Sequence, residues 1–93
     1  MRGDSAHLTI TISRSDLGLL LDALDSHEYW QLGEQLPRNN GHVWLPEDGV
    51  EAVDRYWGDE QPTVEQMGAI RAVERCRELA DRLRAEAVTT RRR

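Results

Sequence analysis

The chain has 93 residues, 39% hydrophobic and 31% charged, with 17 acidic and 12 basic residues and a net charge of −5. That length makes one domain with a thin core, and the balance of apolar and charged residues excludes a disordered chain. The acidic surplus argues against non-specific nucleic-acid binding, no apolar run approaches a membrane span, and the single cysteine, Cys76, forbids an internal disulfide framework.

Every basic residue is Arg; Lys and Phe are absent. This coding bias points to a GC-rich genome, as in actinobacteria and their phages. No apolar stretch resembling a signal peptide follows Met1-Arg2-Gly3-Asp4-Ser5. The expected location is therefore cytoplasmic.

In chain order, Leu8, Ile10 and Ile12 alternate with Thr9, Thr11 and Ser13. This predicts a strand over residues 7–13 with one buried face. A lone strand needs a partner, and His42-Val43-Trp44-Leu45 is the first candidate. A helix follows over 14–32. Ser13 is its expected N-cap, with Asp16 in the first turn. Leu17, Leu20, Leu21 and Leu24 form its apolar stripe. Leu19, Ala23 and Trp30 widen that stripe, so more than one neighbour is expected. Gly33 has the position of a C′ residue that ends the helix.

Residues 34–62 form a connector of different texture. It holds all three prolines and the Asn39-Asn40-Gly41 turn signal. Asp48, as an N-cap, precedes a predicted short helix over 49–57 that stops at Gly58. The last helix is predicted over 63–87, opened by a Thr63/Gln66 capping box. Met67, Ile70, Val73, Cys76, Ala80, Leu83 and Ala87 line one face. Gly68 offers a place for close approach of the first helix. Residues 88–93 are expected to be a flexible Arg tail.

The expected fold is mainly α, a single domain over 1–93: an antiparallel two-helix hairpin with an N-terminal β-strand, alone or in a two-stranded ribbon, and a short third helix in the connector. So thin a core suggests a homo-oligomer, such as a dimer that completes a four-helix bundle.

All five aromatic residues lie between positions 29 and 57. Such rings can close a small core over the open end of the hairpin or anchor a protein partner. Trp30, Trp44, Tyr56 and Trp57 are the candidate anchors, with Trp44 or Trp57 expected to stay partly exposed. Asp22, Asp25 and Glu28, stepping by three along the first helix, would steer a basic partner. The expected function is a non-enzymatic protein-binding accessory or regulatory module of a phage or mobile element.

Two alternatives come from other classes. Arg77-Glu78-Leu79-Ala80-Asp81 resembles the second motif of the all-α nucleotide pyrophosphohydrolases of the MazG type. That resemblance implies a metal-dependent hydrolase in which paired acids bind Mg²⁺. Asp22 and Asp25 stand where its first motif would need glutamates. The other alternative is a nucleic-acid-linked regulator using Arg91-Arg92-Arg93. His7, His27, His42 and Cys76 lack metal-ligand spacing, and the seven glycines form no phosphate-cradling loop. No catalytic residue, metal site or cofactor is therefore expected.

Overall fold

A computed structural model of the chain describes residues 7–91. The order of elements is α1 (Arg14–His27), a π-helical turn (Glu28–Leu32), β1 (Arg38–Asn39), β2 (His42–Val43), a 3-10 turn (Pro46–Asp48), α2 (Val50–Ala52) running into a second π-helical turn (Val53–Trp57), and α3 (Val64–Arg91). About 67% of the chain is helical, so the fold is mainly α with a two-stranded antiparallel ribbon.

Local chemistry accounts for the element ends. The Asp16 amide donates to Ser13 Oγ at 3.0 Å, which caps α1. Thr63 and Gln66 close a reciprocal box: the Thr63 amide donates to Gln66 Oε1 and the Gln66 amide to Thr63 Oγ1, both at 3.0 Å. Asn40 and Gly41 have φ of 53° and 79°, the two left-handed residues of a type I′ hairpin turn. That turn sets the register Arg38↔Val43 and Asn39↔His42. Gly58, at φ 59°, ends the second helical segment in a left-handed conformation.

Several expectations are corrected. Residues 7–13 form no strand, and Leu8 and Ile10 are 84% and 73% exposed. Residues 42–43 pair instead with β1, which the Asn40-Gly41 turn brings alongside them. Asp48 is no helix N-cap; its carboxylate accepts from the Leu45 amide at 2.8 Å and closes the 3-10 turn, while Gly49 precedes α2. α3 runs to Arg91, beyond the expected end at 87, since residues 88–91 contain no Gly or Pro to stop it. The remainder of the proposed tail, Arg92-Arg93, lies outside the described residues.

The core also sits elsewhere than expected. Leu36, Val43, Leu45, Trp57, Ile70 and Val73 form it, with Tyr29, Leu32, Tyr56 and Ala69 packed around them. The connector thus supplies most of the core, against the first half of α3. α1 has no buried residue at all. Its Leu17, Leu21 and Leu24 are half-buried, because a single neighbouring helix cannot enclose a leucine stripe. The radius of gyration, 15.7 Å, exceeds the roughly 12 Å of a compact chain of this length, so much of the apolar surface stays near solvent.

Two glycines separate close packing from mere helix weakness. Gly33 has φ −91° and is not left-handed as its position suggested. A Cβ there would meet Val43 Cγ2 at 2.6 Å, so β2 lies directly against the end of α1. Gly68 has nothing within 4 Å and permits no close approach. Gly33→Ala is therefore expected to cost about 1–3 kcal/mol through overpacking. Gly68→Ala is expected to gain roughly 0.5–1 kcal/mol through helix propensity. Urea midpoints of the two variants should move in opposite directions.

Candidate functional site

Two surfaces bring together residues that could do chemistry. The first is a cleft of about 230 Å³ between α1, the ribbon turn and α3, lined by Leu21, Leu24, Asp25, Glu28, His42, Cys76, Arg77, Ala80, Asp81 and Arg84, with Gly41 at its rim. Arg77 is its centre. Its Nε donates to Glu28 Oε2 at 3.0 Å, one terminal nitrogen to Asp48 Oδ1 at 3.3 Å, and the other to the Val43 carbonyl at 2.6 Å. Burial opposes the Arg77 charge, but the hydrogen bond and charge of Glu28, then those of Asp48, outweigh it and hold the guanidinium more firmly protonated than usual.

The carboxylates of the cleft are largely committed. Glu28 is bound to Arg77 and its side chain is only 15% exposed, so it is withdrawn from the steering role expected of it. Asp81 pairs with Arg84 at 3.2 Å. His42 Nε2 lies 3.7 Å from Asp48 Oδ2. Among the described residues, no group of three or more His, Cys, Asp and Glu side chains could hold a metal ion. Asp22 is exposed to solvent, and Glu78 is exposed on α3 outside the cleft. Cys76 is buried, with its thiol 3.4 Å from the Leu24 carbonyl. Burial, then the charges of Glu28 and Asp25, pushes that thiol up, away from the reactive thiolate.

Beside the cleft, Glu74 of α3 meets Glu47 of the 3-10 turn. A hydrogen bond with Glu47, then burial, then the charges of Glu47 and Glu78 raise the Glu74 carboxyl above its ordinary value; Arg71 opposes them.

The second surface is aromatic. Trp44 stacks on Tyr56 with centroids 5.4 Å apart, and His42 meets Trp44 edge-on at 4.5 Å. Asn39 Nδ2 donates to the Tyr56 hydroxyl at 3.1 Å. Trp30 meets Tyr29 edge-to-face at 4.9 Å. The Arg38 guanidinium stands 5.3 Å from the Tyr29 ring and 5.5 Å from the Trp30 ring, and donates to the Tyr29 carbonyl at 2.5 Å.

The four candidate anchors therefore part company. Trp57 is 7% exposed and belongs to the core, where its indole N–H donates to the Trp44 carbonyl at 2.9 Å. Trp44 and Tyr56 are half-buried in their stack. Trp30 is 64% exposed. Arg38 and Arg77, which organise the two surfaces, were not among the sequence candidates. Arg77 lies four residues after Val73 and seven after Ile70, inside the apolar arc of α3. A charge at such a position was the available signal of a buried partner.

No family model, curated protein or solved structure matches the chain. Among the described residues, no helix is long and apolar enough to cross a membrane.

Removing Arg77 takes the charged partner from Glu28 and Asp48 and the donor from the Val43 carbonyl in a part-buried place, although Asp48 keeps the Leu45 amide. Arg77→Met is expected to cost about 2–4 kcal/mol in urea unfolding. Arg77→Lys should recover less than half of that, because one ammonium cannot span three acceptors in different elements. Glu74 acts with the opposite sign to a salt-bridged acid. The raised folded-state pKa means its contribution is fully present below the unfolded carboxylate pKa and is lost as pH rises through the folded value. Glu74→Gln is therefore expected to raise the Tm at about pH 7, with the gain vanishing below about pH 4.

Proposed function

We propose that the protein is a non-enzymatic protein-binding module that uses Trp30 as its anchor. The observation that carries this reading is that the Trp30 indole is exposed and yet held in place. Its exposure is 64%, but Tyr29 packs against its ring at 4.9 Å and Arg38 stands beside both rings. An exposed aromatic side chain already fixed by neighbours loses little entropy on docking, which is what an interface anchor needs.

The net charge of the chain suits a basic partner. Asp22 and Asp25 are exposed on α1, in a chain of net charge −5. They would steer encounter, while Trp30 supplies desolvation at contact. The Trp44–Tyr56 stack is joined to β1 through Asn39 and adds a second aromatic surface. In this reading the two long helices are the support, and the connector presents the rings. In this reading the module belongs to a phage or mobile element of a GC-rich host, which the absence of Lys suits, and acts in the cytoplasm by occluding or scaffolding another protein.

A photo-crosslinking amino acid at position 30, introduced in the native host, tests this. Adducts to a protein are expected from position 30 and absent from exposed position 78 on α3. Trp30→Ala should weaken capture of the same partner at least tenfold, while Trp44→Ala weakens it less. No adduct from position 30, or equal adducts from both positions, overturns the reading.

A further inference from the structure

Residues 7–13 lead directly into α1, and their state is unusual for so apolar a segment. Leu8, Ile10 and Ile12 are 84%, 73% and 43% exposed. No hydrogen bond joins residues 7–12 to another described residue. Strict alternation gives the segment one apolar and one hydroxyl face. It also carries no Asp, Glu or Arg, in a chain where 31% of residues are charged. An edge meant to stay single is normally blunted with charge or proline; this one is not.

We infer that residues 7–13 pair with the same residues of a second copy, forming an intermolecular antiparallel ribbon across a twofold axis at Ile10. Side chains directly opposite in an antiparallel pair share a face, so apolar residues must oppose apolar ones. One register achieves this for all three: Leu8 opposite Ile12, Ile10 opposite Ile10, and Ile12 opposite Leu8. Thr9 then faces Thr11. This arrangement is symmetric, as a closed dimer interface must be.

A second copy is the fitting occupant for two further reasons. Two chains of charge −5 repel wherever acids meet, and this uncharged arm is where they can approach. A two-stranded ribbon is marginal alone and needs an apolar floor. α1 supplies one within two turns of the arm: Leu19 is 70% exposed and Leu20 38% exposed. Arm and floor together offer roughly 500 Å² of apolar side chain per copy, and the paired backbone and threonines bring this towards the about 800 Å² per partner of a stable interface. The surface is separate from Trp30, which lies past the other end of α1, so the dimer and the partner-binding reading can fail independently.

The test is the mass in solution of the full chain by sedimentation. The wild type is expected near twice 10.7 kDa, and Ile10→Asp near that single-chain mass. Ile10 is exposed in the single chain, so its replacement should leave the helical circular dichroism signal unchanged. Trp30→Ala should leave the wild-type mass unchanged. For the register, Ile10→Cys is placed in a Cys76→Ser background that itself stays dimeric. It should form an intermolecular disulfide at least tenfold faster than Thr9→Cys in the same background. A wild type that stays monomeric at high micromolar concentration, an Ile10→Asp variant that still dimerises, or equal crosslinking from positions 9 and 10 overturns the inference.

Discussion

The architecture depends on one guanidinium. Arg77 holds the end of the first helix through Glu28, the second strand through the Val43 carbonyl, and the 3-10 turn through Asp48. None of these three is stable by itself. A two-residue strand pair is too short to persist in water, and the 3-10 turn of three residues is closed only locally, by the Asp48 amide on the Leu45 carbonyl at 3.0 Å and the Leu45 amide on the Asp48 carboxylate at 2.8 Å. The β2 carbonyl that Arg77 reaches would otherwise be a buried acceptor without a donor. A planar fork with five donors suits the task, since its acceptors come from three different elements. The desolvation of the charge is offset because each of its three nitrogens has an acceptor. The three contacts together tie the end of α1, the ribbon and the 3-10 turn to one side chain of α3.

The apolar contacts obey the same placement. Val43 lies on Gly33, where no side chain larger than hydrogen fits, and Trp57 reaches back to the Trp44 carbonyl. The connector is therefore the body of the domain. With no Phe in the chain, Trp57 takes the role of core bulk, and its one polar atom is satisfied by backbone. Trp44 and Tyr56 cover that core and are half-consumed by it. Trp30 is left outward because it follows a helix whose inward face is already spent on α3.

What could be read from the sequence was local. Caps, helix periods and the Asn40-Gly41 turn are determined by residues within a few positions of each other, and Ser13, Thr63 with Gln66, and Gly58 do what their types dictate. Contacts between distant elements were less legible. The alternation of residues 8–12 specifies an extended segment but not the strand that pairs with it, and a tight local hairpin took the edge of 42–43. The two π-helical turns, closed by Glu28 to Gly33 and Val53 to Gly58, each add a residue that no 3.6-residue period encodes. They rotate Tyr29, Trp30 and Tyr56 away from where a regular helix would put them. The candidate site was legible as a composition, a cluster of rings and acids. Its division into core and surface was not, because burial depends on which neighbours arrive.

A helix with no buried residue raises a question of balance. α1 keeps its shape through its Ser13 cap, the half-covered contact of Leu17, Leu21 and Leu24, and the Arg77–Glu28 bond at its far end. Its remaining leucines contribute to stability only to the extent that something removes them from water. In the single chain, Leu19 and Leu20 do not receive that cover. Any copy or partner that seats on α1 therefore stabilises the native fold in proportion to its own occupancy, as mass action requires. The two ends of α1 differ in what they offer such a neighbour. The first end carries an uncharged arm of alternating apolar and hydroxyl residues, and just past the second stands an exposed indole with Arg38 beside it. In the two readings proposed above, a second copy takes the first end and a protein partner the second, and about 21 Å of helix between them would let one molecule engage both without competition.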